Sequence, residues 1–434
     1  MGSSQPQIRL AIIGGGLAGT ALANGLMRIP HIETHIYEVS ESFSERGAAL
    51  GLAPIHQQAL GQLVEPIDET FARAGAVSIA SMRSLVGSGE NAGKTIFDSG
   101  DDGDKILHRA SLLRELVAPL PKEMLHNSKK LTAIKQAPGE IAFDLVPGKR
   151  AVQLTFEDGL VEGVDAVIGA DGLFSFVRNY VLEEDAATCA ASPAGFWDTR
   201  FLVPIESARS ALGDEFFEEP RQYIWCGDGA IILHDVIENG TLAHFAFAAV
   251  EKESPKDRKR FLTQDFLDAA YKGWSPHAAS IIKASCLQGY SQMEHKQTPT
   301  YARGRVCLMG DAAHTTSPWQ GAGAGLAFED GAVLVALLGS VYSPDEISTA
   351  FQVFDAIRRP RCQRVIDSSR AVGGMMCGQD AEIGLDPDKL RKTLPGQWGF
   401  IMSLNIEEHQ MDAVRRYRET LGKHRGEQER TGAD

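Results

Sequence analysis

"LAIIGGGLAGTALANGLM", Leu10 to Met27, decides the fold. The apolar run that ends at Ile13 reads as a short buried strand, and the small and apolar residues from Thr20 to Arg28 have helical character. Between them stands Gly14-x-Gly16-x-x-Gly19. The first glycine permits a tight turn, the second lets a pyrophosphate approach the backbone, and the third lets the helix pack on the strand. The helix N-terminus then offers unpaired N–H groups and a positive dipole end to the phosphates. Thr34 to Tyr37 reads as a second strand, and Glu38 at its end can hold a ribose hydroxyl. The pattern is β-turn-α-β with a dinucleotide site. The same stretch mimics a signal peptide, but its glycines would break a signal helix.

Bulk properties narrow the rest. The 434 residues, 43% hydrophobic, suggest two domains. A formal charge of −14 repels phosphate backbones and anionic lipid, so nucleic acid is not an expected partner. No apolar run reaches the roughly 18 residues of a membrane span. Cys189, Cys226, Cys286, Cys307, Cys362 and Cys377 are widely spaced, without CxxC pairs. They read as free thiols in a reducing, cytoplasmic compartment, with no metal site expected.

After the first unit, residues 77–84 and 93–98 look like short strands, and residues 131–156 like an antiparallel meander. From about Pro193 to Thr298 the texture is β, with a lysine-rich helical segment expected at 255–283. Asn239-Gly240 reads as a two-residue type I′ hairpin turn. Gly323 to Leu338 reads as a helix, the tail from about Gly373 as mixed and helical, and the last nine residues as frayed.

Two further motifs carry chemistry. "DAVIGADGLFSFVR" runs a strand into Ala170-Asp171-Gly172, where Asp171 can accept backbone N–H bonds. "GDAAHTTSPWQGAGAGLAFEDG", Gly310 to Gly331, places Asp311 at a strand end, where ligands bind in open α/β sheets. Asp311 could accept from ribityl hydroxyls, and Pro318 fixes an extended backbone. Gly321 and Gly323 clear side chains from a helix N-terminus that would favour the negative charge of a reduced flavin. His314 reads as a loop histidine without chemistry.

These motifs in this order resemble the group A FAD-dependent aromatic monooxygenases of the salicylate hydroxylase-like branch, over residues 8–375. The resemblance implies an α/β architecture: a Rossmann-like FAD domain of the GR2 type with an inserted β-sheet substrate domain. The FAD domain would comprise 1–76, 99–190 and 296–375, the substrate sheet 77–98 and 191–295, and a C-terminal helical segment 376–434. It also implies non-covalent FAD, NADH or NADPH as a transient co-substrate, and O2 that adds at flavin C4a. The substrate would be a small aromatic, in a monomer or homodimer. Glu38 matches the adenosine-ribose carboxylate. Arg46 with Ala48 and Ala49 falls in the loop passing the flavin, and Arg109 matches the arginine beside the cofactor. Asp311 and Pro318 to Ala324 match the second flavin-contacting element.

One departure concerns the substrate. Asp235 stands where the family often has tyrosine. With Asn239-Gly240 as the turn, Asp235 falls opposite His244, on the face that also carries Ile231, Leu233 and Ala246. The other face carries Ile232, His234, Val236, Phe245 and Phe247, which suits a core. The resemblance puts Asp235 toward the substrate, and Arg200 in "FWDTRFLV" where some members hold an anionic or phenolic group, so Asp235, His244 and Arg200 are the expected polar groups of the pocket. The carboxylate would make the histidine a better acceptor for a phenolic proton. The expected reaction is hydroxylation of a phenolic or salicylate-like ring, with loss of CO2 where the attacked carbon bears a carboxylate. A flavin-dependent epoxidase or indole oxidase and a non-catalytic FAD-binding module are the alternatives.

Overall fold

Four apolar segments make the central sheet of the computed structural model, which describes residues 8–44, 49–100, 102–137, 150–274 and 288–431. The strands Val306–Leu308, Ala166–Gly169, Ile8–Ile13 and Ile32–Tyr37 lie side by side and parallel, in that order. Leu125–His126 extends one edge in parallel, and Ala302–Arg303 closes the other antiparallel. Covered on both faces, such strands need near-continuous apolar sequence, and Ala166–Gly169 and Val306–Leu308 are buried throughout. The helices Leu17–Leu26 and Gly323–Leu338 share one core with this sheet through Leu22, Leu26, Leu334 and Leu337.

The second sheet has eight strands. Ser192–Pro204, Leu242–Val250, Ala230–Ile237 and Arg221–Gly227 form its antiparallel centre, and Ser81–Val86 joins Arg221–Gly227 in parallel. One face packs Tyr223, Trp225, Ile232, Phe245 and Phe247 against Ala208, Leu212 and Leu267 of its own covering helices. The other packs Phe196, Ile224, Ile231 and Ala248 against Trp319, Val372 and Met376 of the nucleotide-binding part.

Several local expectations are corrected. Val77–Ser78 does not join the large sheet; it pairs with Lys105–His108, which also pairs with Ala49–Leu52. The lysine-rich segment is not one helix. Lys259–Phe261 pairs with Gln288–Glu294 as an edge strand, and among the described residues of the segment a helix spans Gln264–Ala270, where Thr263 accepts the Phe266 N–H. Residues 275–287, with Cys286, lie outside the described residues. The tail is more regular than expected. Ile347–Met376 is one helix through Pro360, and Ile406–Thr431 is helical rather than frayed. The tail helix has tertiary support, because Ile406, Ala413 and Tyr417 are buried in the cores. The hairpin turn has the expected geometry: Asn239 and Gly240 have φ of +54° and +84°, and Thr241 N–H donates to the Glu238 carbonyl at 3.2 Å.

Candidate active site

Four adjacent parallel strands end on one side of the central sheet, and each chemical motif begins there. Ile13 runs into Gly14, Tyr37 into Glu38, Gly169 into Ala170-Asp171, and Leu308 into Met309-Gly310-Asp311. A crevice at the carboxyl ends of parallel strands is the usual ligand position in such sheets.

The turns interlock at close range. Gly14 has φ +111°, and a Cβ there would lie 2.3 Å from the Ala170 carbonyl oxygen. A Cβ on Gly19 would lie 2.1 Å from the Gly14 carbonyl oxygen. No side chain fits at either position. The Glu38 carboxylate accepts from Gly15 N–H at 2.7 Å and Ser40 N–H at 2.9 Å, which fixes it beside the glycine turn. Each of its oxygens keeps a further lone pair.

Asp171 caps its own helix. Its carboxylate accepts from the Ser175 hydroxyl, from Phe176 N–H at 2.8 Å and from Val177 N–H at 3.1 Å. Replacing Asp171 with alanine is expected to cost about 1–2 kcal/mol of stability, read as a lower denaturation midpoint. Arg178, on the same helix, is buried and donates to the carbonyls of Ala312 (3.1 Å) and Ala313 (2.9 Å). The second and third motifs are thus bonded together.

Asp311 and Pro318 are exposed on the loop, and Gly321 has φ +65° with open space where a Cβ would stand. The loop reaches the first motif as well. A Cβ on Gly310 would lie 3.1 Å from the Ala18 side chain. The two glycine clusters are therefore neighbours across the sheet. Ala49 pairs with His108, immediately before half-buried Arg109 at the start of the helix Arg109–Val117. Arg46 and Ala48 lie outside the described residues.

His314 is not an idle loop residue. It is buried, and its Nε2 lies 2.5 Å from Asp330. Asp330 also accepts from Gly310 N–H at 3.0 Å and from Arg358 Nε at 2.7 Å. The adjacent Glu329 accepts from Arg361 at 2.8 and 2.9 Å and pairs with Arg358 at 2.8 Å. Cys362 completes a buried His–Asp–Cys group with ligand atoms within 4.8 Å. The Arg358 guanidinium already occupies the charge-balancing place of a cation there.

Burial alone would raise the carboxyls of Glu329 and Asp330. Arg358 and Arg361 at Glu329, and His314 and Arg358 at Asp330, overcome this and hold both at about 2. A depressed carboxyl contributes stability above its unfolded pKa and loses it as pH falls through the folded value. Thermal stability should therefore fall on acidification from about pH 4.5 toward pH 2. Glu329→Gln should flatten that fall when melting is followed across pH.

On the large sheet, Asp235 pairs with His244 in the expected register. The pair is buried, at 2% and 4% exposure, and is not a solvent-facing contact. His244 Nδ1 lies 3.1 Å from Asp235 Oδ1, and Gln222 Nε2 donates to Asp235 Oδ2 at 3.0 Å. A carboxylate accepts only, so Nδ1 carries the proton toward it and Nε2 of the neutral ring is left as an acceptor. That Nε2 is buried and has no partner among the described residues. Leu202 stands beside His244 and Arg200 beside Ala246, so Arg200 shares this face. Arg200 is exposed, and its guanidinium donates to Asp198 at 3.1 Å. The face is bracketed by the nucleotide-binding part. Phe196 meets Trp319 edge-on at 4.8 Å, and Leu202 packs in a cluster with Ala49. On the opposite face His234 stacks on Tyr223 in the core, where burial lowers its pKa to about 3.

A family model described as FAD binding domain matches residues 150–369. The chain is 30% identical over 429 residues to 6-methylsalicylate 1-monooxygenase of Aspergillus terreus, covering 96% of this chain and 94% of that one. The chain belongs to the FAD-dependent monooxygenases. This monooxygenase is also 28% identical to salicylate hydroxylase of Pseudomonas putida, over 92% of this chain and 93% of that one. The fold is that of a solved salicylate hydroxylase substrate complex, with TM-score 0.81, 24% identity, and 95% and 99% of the two chains covered. It is shared with Klebsiella pneumoniae HpxO complexed with FAD and uric acid, at TM-score 0.75, 21% identity, and 95% and 98% coverage.

The monooxygenase is thus an FAD enzyme, and its residues fit the cofactor. Gly14 and Gly19 leave no side chain over the phosphate turn, and Gly321 is open beside exposed Asp311. Among the described residues no helix is long and apolar enough to cross a membrane. Sequence reasoning missed Gln222, Arg178 as a tie between motifs, and the Glu329–Asp330 network. A signal for the network existed. Two adjacent acids inside the otherwise apolar helix Gly323–Leu338 cannot both be buried without cations.

Proposed function

We propose that this monooxygenase hydroxylates a phenolic or salicylate-like aromatic, with NADH or NADPH as reductant. The observation that carries the reading is the buried His244 Nε2, without a partner among the described residues, on the sheet face bracketed by Ala49 and Trp319. The relatives named 6-methylsalicylate 1-monooxygenase and salicylate hydroxylase support the substrate class.

Bound FAD supplies activation of O2, with one oxygen atom going to the ring and the other to water. The chain supplies binding and proton handling. Gly14, Gly16 and Gly19 would receive the pyrophosphate and Glu38 the adenosine ribose. Asp311 would take ribityl hydroxyls, and Ala49, Arg109 and the stretch Pro318, Gly321, Gly323 and Ala324 would surround the ring system. His244 Nε2 would accept the phenolic proton, which makes the ring electron-rich at the carbon to be attacked. Asp235, held by Gln222, keeps the tautomer that leaves Nε2 able to accept. Arg200 would hold a ring carboxylate or phenolate from the same face. Where the attacked carbon carries the carboxylate, CO2 leaves as the hydroxyl enters. The packed walls around this face would keep water from the reacting atoms.

The test is product analysis. The purified enzyme is incubated with NADH or NADPH and, separately, salicylate, 6-methylsalicylate, indole and a prenylated alkene. Hydroxylated products from the phenols are expected, with oxygen from O2. Epoxide or oxidised indole as the sole coupled product would overturn the phenol reading.

A further inference from the structure

We infer that the buried charge cluster behind the Gly310–His314 turn sets the reduction potential of the flavin, holding it higher than the exposed surface of this acidic chain would. The cluster contains four cations and two carboxylates. Arg178 donates to the Ala312 and Ala313 carbonyls, His314 and Arg358 flank Asp330, and Arg358 and Arg361 flank Glu329. Every one of these side chains is fully or nearly buried.

The neighbouring histidines add no charge to this count. Burial keeps His295 neutral, with a pKa of about 3, and His409 neutral at about 4. His56 lies 3.8 Å from Glu329, and burial lowers it too. His314 is the exception. Burial works against its charged form, but Cys362 and the Asp330 carboxylate against its ring raise it well above its ordinary value.

A buried excess of positive charge is unfavourable for folding by itself, because desolvation outweighs pairing unless a further anion is near. The turn that this cluster supports carries Asp311, and its far arm is the helix that starts at Gly323. Asp330 joins the two arms, since it lies on that helix and accepts from both Gly310 and His314. Two-electron reduction adds negative charge to a flavin, so a net positive interior behind the loop favours the reduced form. His314 and Glu329 are accordingly positioning residues that act through the field and the loop.

The experiment uses the FAD-loaded enzyme and measures the flavin midpoint potential in a dye-equilibrated titration. His314→Gln removes one positive charge and should reduce the preference for reduced over oxidised FAD about tenfold. That is a fall of roughly 30 mV for a two-electron couple. Glu329→Gln removes one negative charge and should move the midpoint in the opposite direction. A purely structural role would weaken both redox forms together and leave the midpoint unchanged. Unchanged midpoints in both variants, or shifts of the same sign, overturn the inference. Loss of FAD from the unsubstituted enzyme would instead contradict the cofactor assignment, so the two failures are distinguishable.

Discussion

His244→Ala is expected to lower coupled hydroxylation roughly 100-fold or more while the bound flavin spectrum stays unchanged. General-base contributions of this kind are worth about 10²–10⁴-fold. The substitution removes a buried acceptor left without a partner among the described residues, on the substrate face, and does not touch the glycine turns. It also leaves Asp235 with the Gln222 amide as its remaining named partner, so the pocket keeps a hydrogen bond there. NAD(P)H oxidation should continue, with H2O2 replacing hydroxylated product, because the flavin still meets O2 but the ring is no longer activated. The check is a paired measurement of NAD(P)H consumed and product formed. Coupling equal to that of the unsubstituted enzyme would remove His244 from the chemistry. Asp235→Asn should show the same direction with a smaller loss, since it disturbs the tautomer and not the acceptor itself.

The second large effect is on the cofactor. Gly14→Val should reduce FAD affinity more than about 100-fold, roughly 3 kcal/mol. A Cβ at Gly14 would stand 2.3 Å from the Ala170 carbonyl oxygen, at a φ of +111° that L side chains rarely adopt. Relief requires the turn to move away from the strand Ala166–Gly169, and the phosphate position moves with it. The purified variant should be colourless, and titration of the apoprotein with FAD should show the loss directly. Yellow protein with unaltered affinity would mean that the phosphates are held elsewhere.

Much of this architecture was legible because its signals are local. The glycine spacing at Gly14, Gly16 and Gly19, the strand that runs into Glu38, and the helix Gly323–Leu338 follow from turn sterics and apolar periodicity. The Asp235–His244 pairing was legible too. A two-residue turn at Asn239-Gly240 fixes register, and register assigns every side chain to a face. The lysine-rich segment misled, because exposed lysines suit a helix or an edge strand equally. The pairing with Gln288–Glu294 selected the strand.

Read alone, the chain determined its turns, its strands and the side of each strand that a residue occupies. These depend on backbone sterics and on periods of two and 3.6 residues. The tertiary structure decided which of these turns meet. It bonded Arg178 to the carbonyls of Ala312 and Ala313, and it turned His314 from an apparent loop residue into the partner of Asp330. It also set the Asp235 face against Trp319 and Ala49. Contacts between residues far apart in sequence depend on how whole elements pack, and no local period records that.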